Sequence, residues 1–406
     1  GVPLGGHGDE HRRILPFDIW DDYPFSFYFK PSTGIDDPIR AKAMLLKKND
    51  QKLLFLSLDL VGAPIELLND IYKKLEFFGF NKEEIFVSAT HTHSGPGGLS
   101  KNLLWEVVAM DKFLPEIYEE ILDKVFWLVN EVYMKLSPAK LYELEFHAKN
   151  IQKNRRKDKS IVDDRAYILA AKNNQGLWLG GMINFALHGT TLSSKKLQMS
   201  SDVLGKIEKA VEVTFNSKNI ENSLKTHFMF INSALGDISP NKKGHKGARE
   251  IANLFSKQLE DSINDLREVS PSWSIERFHI QIPKFNINVK KCLNTNNLFI
   301  NSFRTLHDSN LHSKFLSNTV QLNLISLGHL LMMTWPGEAT TQLGINLRKI
   351  ANKIGYEKIW ILGLTNGHNS YFTTPEEYDF GGYEACASFH GGKAGNTIIN
   401  EYKNRL

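Results

Sequence analysis

Short apolar runs of β character alternate along this chain with longer runs of helical period, a rhythm that admits few architectures. The strand candidates are Lys52–Leu60, Glu84–Ala89, Arg165–Ala171, Leu177–Leu187, His227–Ser233, Ser274–Ile282, Thr319–Thr334 as two strands around Ser326–Gly328, and Lys358–Leu364. Between them lie helical patterns at Pro64–Phe78, Asp111–Leu136, Val203–Phe215, Ala248–Val269 and Thr340–Ile354, several closed by Pro, Ser, Asp or Gly. This predicts an α/β fold of layered mixed β-sheets flanked by helices, with the functional residues at the carboxyl ends of the strands. No repeat, low-complexity tract or strong linker divides the 406 residues, and the weak boundary candidates are Ser270-Pro271-Ser272 and the Asn/Lys-rich 284–297. Residues 1–406 are therefore read as one unit.

Composition removes several classes. At 42% hydrophobic and 23% charged the chain has the balance of a globular protein with a packed core, not of a disordered or collagen-like one. A net charge of +4, with basic residues in short clusters mixed with acids such as KNRRKDK at 153–159, argues against nucleic acid as a partner. Cys292 and Cys386 allow at most one bridge. No run approaches the ~20 apolar residues of a membrane-spanning helix. The first residues, GVPLGGHG, lack the basic and apolar stretches of a secretory signal, and neither compartment nor oligomeric state is legible.

Chemistry is concentrated where apolar runs end. IFVSAT leads into His91-Thr92-His93-Ser94-Gly95-Pro96-Gly97-Gly98, MINFAL into His188, FMFINSALG into Asp237-Ile238-Ser239-Pro240-Asn241, LLMMTWPG into Glu338, and IWILGLTNGHNS into Tyr371. Continued as a strand, His91-x-His93 would put both imidazoles on one face, which suits a Zn²⁺ site as well as it suits two hydrogen-bonded histidines under a glycine-rich loop. Glu338 opens a helix, where a carboxylate is also a favourable cap. Ser239 is not in the G-x-S-x-G elbow of α/β-hydrolases, and a turn of Asp, Ser, Pro and Asn is more often structural than catalytic. From the residues alone the reading stops at a metal hydrolase of unspecified substrate.

Taken together, these segments resemble the neutral/alkaline (non-lysosomal) ceramidase family. SATHTHSGPGG at 88–98, F-A-L-H ending at His188, GDISPN at 236–241, PGEATT at 336–341 and SYFTTPEEY…YEACAS at 370–388 stand in that family's order. The resemblance implies a zinc-dependent amidase that cleaves the N-acyl bond of ceramide to a sphingoid base and a fatty acid. It implies that His91, His188, Glu338 and Tyr371 bind one Zn²⁺ per chain and that Ser239 is the nucleophile. His93, Tyr383 and Arg155 would stabilise the oxyanion or orient the amide. Such an enzyme would use a zinc-activated water and the serine against a poorly electrophilic amide. Tyrosine is an unusual zinc ligand, and His368, three residues earlier, is its natural competitor.

The resemblance leaves two further expectations and two alternatives. The family's C-terminal immunoglobulin-like domain has no counterpart before Leu406, so the chain is expected to be the catalytic unit alone. The aromatic segment FDIWDDYPFSFYFKP at 17–31, with Phe25, Phe27 and Phe29, is the candidate for contact with a membrane surface bearing the lipid. The same site would serve another N-acyl amide, such as an N-acyl amino acid or acylated amine. An idle lipid-binding protein on the same fold is the alternative from another class.

Overall fold

The structure, a computed structural model, describes residues 1–14, 25–158, 160–219, 225–286 and 316–406. Its largest sheet has five strands in the order His227–Asn232, Trp178–Phe185, Arg165–Asn173, Ala139–His147 and Arg267–Val269, the first pair parallel and the rest antiparallel. A four-stranded sheet runs Trp273–Gln281, Thr319–Leu327, Leu330–Trp335, Lys358–Gly363, with only its last pair parallel. Three strands, Ala41–Lys48, Gln51–Leu58 and Ile85–Ala89, form another mixed sheet. The expected α/β class with layered mixed sheets is thus present.

Side-chain alternation along a strand explains the layering, because successive residues face opposite sides. On Gln51–Leu58, Leu53 and Phe55 enter a core shared with Leu169 and Met182 of the five-stranded sheet and Met332 and Trp360 of the four-stranded one. Their neighbours Leu54, Leu56 and Leu58 pack instead on helices Ile65–Leu75 and Pro115–Met134. Helices Asp202–Asn216 and Gly244–Ser262 cover the outer face of the five-stranded sheet through Phe215 and Phe255. Helices Thr341–Lys353 and Ala394–Arg405 cover the four-stranded sheet through Leu343, Leu347, Ile398 and Tyr402. Sheet thus faces sheet across one apolar core, and helices close both outer sides.

Local chemistry sets where elements start. The helix expected from Asp111 begins at Pro115, because Asp111 has φ of 67°, outside the helical region, and proline is favoured in the first turn. The Asp111 carboxylate instead accepts N–H groups of Phe27, Tyr28 and Phe29, and so fixes the end of the aromatic segment. The pattern expected to run helical to Val269 stops at Ser262, and Arg267–Val269 becomes an edge strand.

The polar ends of the strands are drawn together by buried amides. Asn184 Nδ2 donates to the carbonyls of Ile231 and Ile361, and Asn232 joins Leu187 N–H to the Thr90 carbonyl. Gly363 is required at this junction, since a Cβ there would lie 2.3 Å from the Ser233 carbonyl oxygen. Strands from all three sheets therefore finish at one place.

Candidate active site

His91 follows the strand Ile85–Ala89 and has φ of 71°, a left-handed conformation uncommon for a residue with a side chain. The strand thus does not continue through His91-x-His93; a turn brings the rings together instead, with their Nε2 atoms 3.2 Å apart. His91 N–H is held by the Leu60 carbonyl, and His91 Nδ1 donates to the Val61 carbonyl at 2.5 Å. That bond leaves the Nε2 lone pair free to face the centre. His188 lies just past Trp178–Phe185, and a parallel bridge between Thr92 and Gly189 sets its turn against that of His91. Glu338 and Tyr371 are register partners in a short parallel pair, Glu338–Ala339 with Tyr371–Phe372. These local pairings place four donor-bearing side chains at one point.

The distances can be tested against a metal. Tetrahedral Zn²⁺ with ligand bonds near 2.0–2.1 Å keeps its donors about 3.3 Å apart. Glu338 Oε2 lies 3.2 Å from His91 Nε2 and 3.1 Å from His188 Nε2, and His188 Nε2 lies 3.3 Å from Tyr371 Oη. Neither carboxylate contact has hydrogen-bond geometry, so Glu338 Oε2 is a buried anionic oxygen with no donor among the described residues. A cation among these donors removes that cost. These spacings among His91, His188, Glu338 and Tyr371 match those of zinc donors, with tyrosine the least usual donor type, and His93 Nε2 is spaced as closely, 3.2 Å from His91 Nε2. His368 approaches the opposite oxygen, its Nε2 standing 3.5 Å from Glu338 Oε1.

Protonation favours the same use. Burial, reinforced by the Arg155 charge, pushes His188 down to about 3, and burial likewise lowers His93 and His368. Burial alone would raise Glu338, but the imidazoles of His91, His188 and His368 outweigh it and hold the carboxyl well below its ordinary range. Neutral imidazole beside ionised carboxylate is the state in which these groups bind metal. Burial and Glu338 raise the Tyr371 phenol well above its ordinary value, and Arg155 acts in the opposite direction.

Ser239 sits in the strand Ile238–Pro240, paired antiparallel with Gln152–Asn154 and opposite Lys153. This pairing carries Arg155 to the site, where its N–H meets the Asp237 carbonyl. Its guanidinium reaches Glu384 Oε1 at 2.7 Å, Gly236 O at 2.8 Å and Tyr371 Oη at 3.0 Å. Asp237 itself is a clamp: its carboxylate accepts Thr341 N–H, Thr341 Oγ1 and Asn154 Nδ2. No imidazole is hydrogen-bonded to Ser239 among the described residues, so a Ser-His-Asp relay is not the arrangement.

A cavity of about 1070 Å³ is lined by His91, His93, Arg155, Ser239, Glu338, Tyr371 and Tyr383. Tyr383 is exposed at its mouth, its ring 5.4 Å from that of Tyr371 and 5.3 Å from the Arg155 guanidinium carbon. His188 lies fully buried behind the wall, its Nε2 against Glu338 Oε2. Sequence reasoning had not assigned roles to His7, whose ring meets His93 at 4.8 Å, or to Glu384, which anchors Arg155. The glycine-rich PLGGHG and the YEACAS segment were the available signals. Phe25 and Phe27 are exposed, whereas Phe29 is fully buried and so falls outside the expected membrane contact; residues 17–24 of that segment lie outside the described residues.

The sequence profile described as "Neutral/alkaline non-lysosomal ceramidase, N-terminal" matches residues 25–268 and 305–400. A neutral ceramidase of Mycobacterium tuberculosis is 22% identical over 447 aligned positions, covering 89% of this chain and 70% of the relative. A neutral ceramidase of Drosophila pseudoobscura pseudoobscura is 23% identical over 235 positions, covering 52% of this chain and 32% of that protein, so the match spans about a third of such relatives. Among solved structures, neutral ceramidase from Pseudomonas aeruginosa superposes with a TM-score of 0.76 at 17% identity, over 90% of this chain and 69% of that one. A ceramidase complexed with C2 gives 0.81 at 16% identity, over 99% and 72%. These structural likenesses establish the fold.

Proposed function

The chain belongs to the neutral/alkaline non-lysosomal ceramidase family, and from that premise we propose that it is a zinc-dependent amidase hydrolysing the N-acyl bond of ceramide to a sphingoid base and a fatty acid. The observation that carries this reading is the zinc-like spacing of His91, His188, Glu338 and Tyr371 at one wall of a cavity that Ser239 also lines. Bound Zn²⁺ would supply Lewis acidity and lower the pKa of water at the site towards ~7.

The chain's own residues then have separable tasks. Ser239 Oγ forms a bond to the amide carbonyl carbon and gives up its proton. The C–N bond breaks, the amine leaves with a proton, and an acyl ester remains on Ser239. Water cleaves that ester, releasing the fatty acid and restoring the serine. Arg155, His93 and Tyr383 line the cavity with N–H and O–H donors for the developing oxyanion, the term that dominates acyl-transfer catalysis. Tyr371 and Glu384 fix the Arg155 fork from two sides.

Two observations bear on the substrate and its approach. Arg13, Lys157 and Lys243 line the cavity beside Asp9 and Asp158, and Lys243 Nζ donates to the Thr190 carbonyl at 2.8 Å. These basic side chains favour a second reading, an N-acyl amide carrying a carboxylate, such as an N-acyl amino acid. Exposed Phe25 and Phe27 would let the chain touch a membrane surface holding ceramide. Incubating zinc-quantified protein with ceramides and N-acyl amino acids and identifying products by mass spectrometry tests the assignment; sphingoid base and fatty acid are expected, and intact ceramide beside hydrolysed N-acyl amino acid supports the second reading instead.

A further inference from the structure

We infer that His368 is a positioning residue that holds the second oxygen of Glu338 and so keeps the first turned to the metal, an inference that rests on the metal reading above. The two carboxylate oxygens face different partners: Oε2 lies within 3.2 Å of both His91 and His188, and Oε1 lies 3.5 Å from His368 Nε2. His368 is buried, and neither of its ring nitrogens has a hydrogen-bond partner among the described residues. A buried imidazole is costly unless something uses it, and among the described residues the carboxylate oxygen facing it is Oε1.

The ring is placed for this task. Trp105 stacks on it with centroids 4.6 Å apart and planes 18° from parallel. On another side Gly62 comes so close that a Cβ there would fall 2.4 Å from His368 Nδ1. His368 is not one more ligand of the same kind: its ring centroid is 6.2 Å from that of His91, whereas those of His93 and His188 are each 4.7 Å away. In this role Nε2 of His368 faces Oε1 across 3.5 Å, and Oε2 is left as the single carboxylate oxygen for a metal. Outer partners of this type raise ligand basicity and fix ligand orientation.

The test measures Zn²⁺ affinity by chelator competition, and the d–d spectrum of the Co²⁺ form, for the wild type, His368→Ala, His368→Gln and Gly62→Ala. Loss of the outer partner in His368→Ala should weaken zinc about 10–100-fold and shift the Co²⁺ spectrum. His368→Gln, which keeps an N–H donor, should recover most of the affinity, and Gly62→Ala, which displaces the ring, should resemble His368→Ala. Unchanged affinity and spectrum in His368→Ala would overturn the assignment, as would equal losses in the Gln and Ala variants. A wild type that binds no zinc overturns the metal reading itself, and this inference with it; the two failures are thereby distinct.

Discussion

Arg155 Nη2 stands 3.0 Å from Tyr371 Oη while its Nε is held by Glu384 at 2.7 Å, so one guanidinium joins the buried phenol to an anionic anchor. Its planar fork makes both contacts at once, which a lysine cannot do. Arg155→Leu should therefore retain zinc yet lose turnover by about 10²–10³-fold, the scale of removing one oxyanion donor. Arg155→Lys should recover only part of it. Metal analysis beside steady-state kinetics checks both statements.

Replacing a proposed ligand should act on the metal first. Glu338→Gln removes the buried anion while keeping its shape, and zinc affinity should fall by more than the ~10–100-fold expected for an outer partner. His188→Ala should do the same. Equilibrium dialysis against buffered zinc gives the numbers, and retention of stoichiometric zinc in both variants would contradict the ligand set.

His390, whose ring stacks on that of Phe372 with centroids 6.5 Å apart, supplies a pH dependence of stability. It is buried with Nδ1 donating to the Pro283 carbonyl at 2.8 Å, and burial lowers its pKa below 6.5. The unfolded chain therefore takes up the proton first, and stability contributed above pH ~6.5 is lost as pH falls below that value. His390→Asn keeps a donor without titrating, so the slope of urea midpoint against pH below ~6.5 should flatten. An unchanged slope would show that other groups set it.

Membrane contact rests on Phe25 and Phe27, which are exposed by 47% and 61%. Burying one phenylalanine side chain contributes about 1.5–3 kcal/mol, so replacing both by serine should weaken liposome binding at least tenfold. The Phe27 backbone N–H is held by the Asp111 carboxylate whatever its side chain, so the fold should be unaffected. Sedimentation with ceramide-bearing vesicles measures this, and equal binding by the variant would remove the proposed contact.

Much of the fold was legible because buried strands such as Ile85–Ala89 and Lys358–Gly363 are short, apolar and bounded by turns. The strand Ala139–His147 was not read, although Tyr142, Leu144 and Phe146 alternate with Glu143 and Glu145, and Glu143 is buried where a charged residue on the polar face is expected to be exposed. Ala41–Lys48 begins and ends with lysines near its termini and is only half-buried, which blurs its period. At the site, residue types alone pointed to a metal hydrolase, the family resemblance implied the set His91, His188, Glu338 and Tyr371, and spacing misread the local geometry. A strand would have carried His91 and His93 side by side, whereas a positive φ at His91 turns them together. The close approach of Gly62 to His368 depends on chain segments some three hundred residues apart, and no local pattern encodes it.

The central claim is that Ser239 carries the acyl group during amide hydrolysis at the proposed zinc site. Rapid acid quenching of the zinc-loaded protein during ceramide turnover, followed by peptide mass spectrometry, tests it most directly. The account predicts an added fatty-acyl mass on the peptide containing Ser239 and, in Ser239→Ala, zinc retained with turnover reduced by at least about a thousandfold. No acyl peptide, together with undiminished hydrolysis by Ser239→Ala, would contradict it.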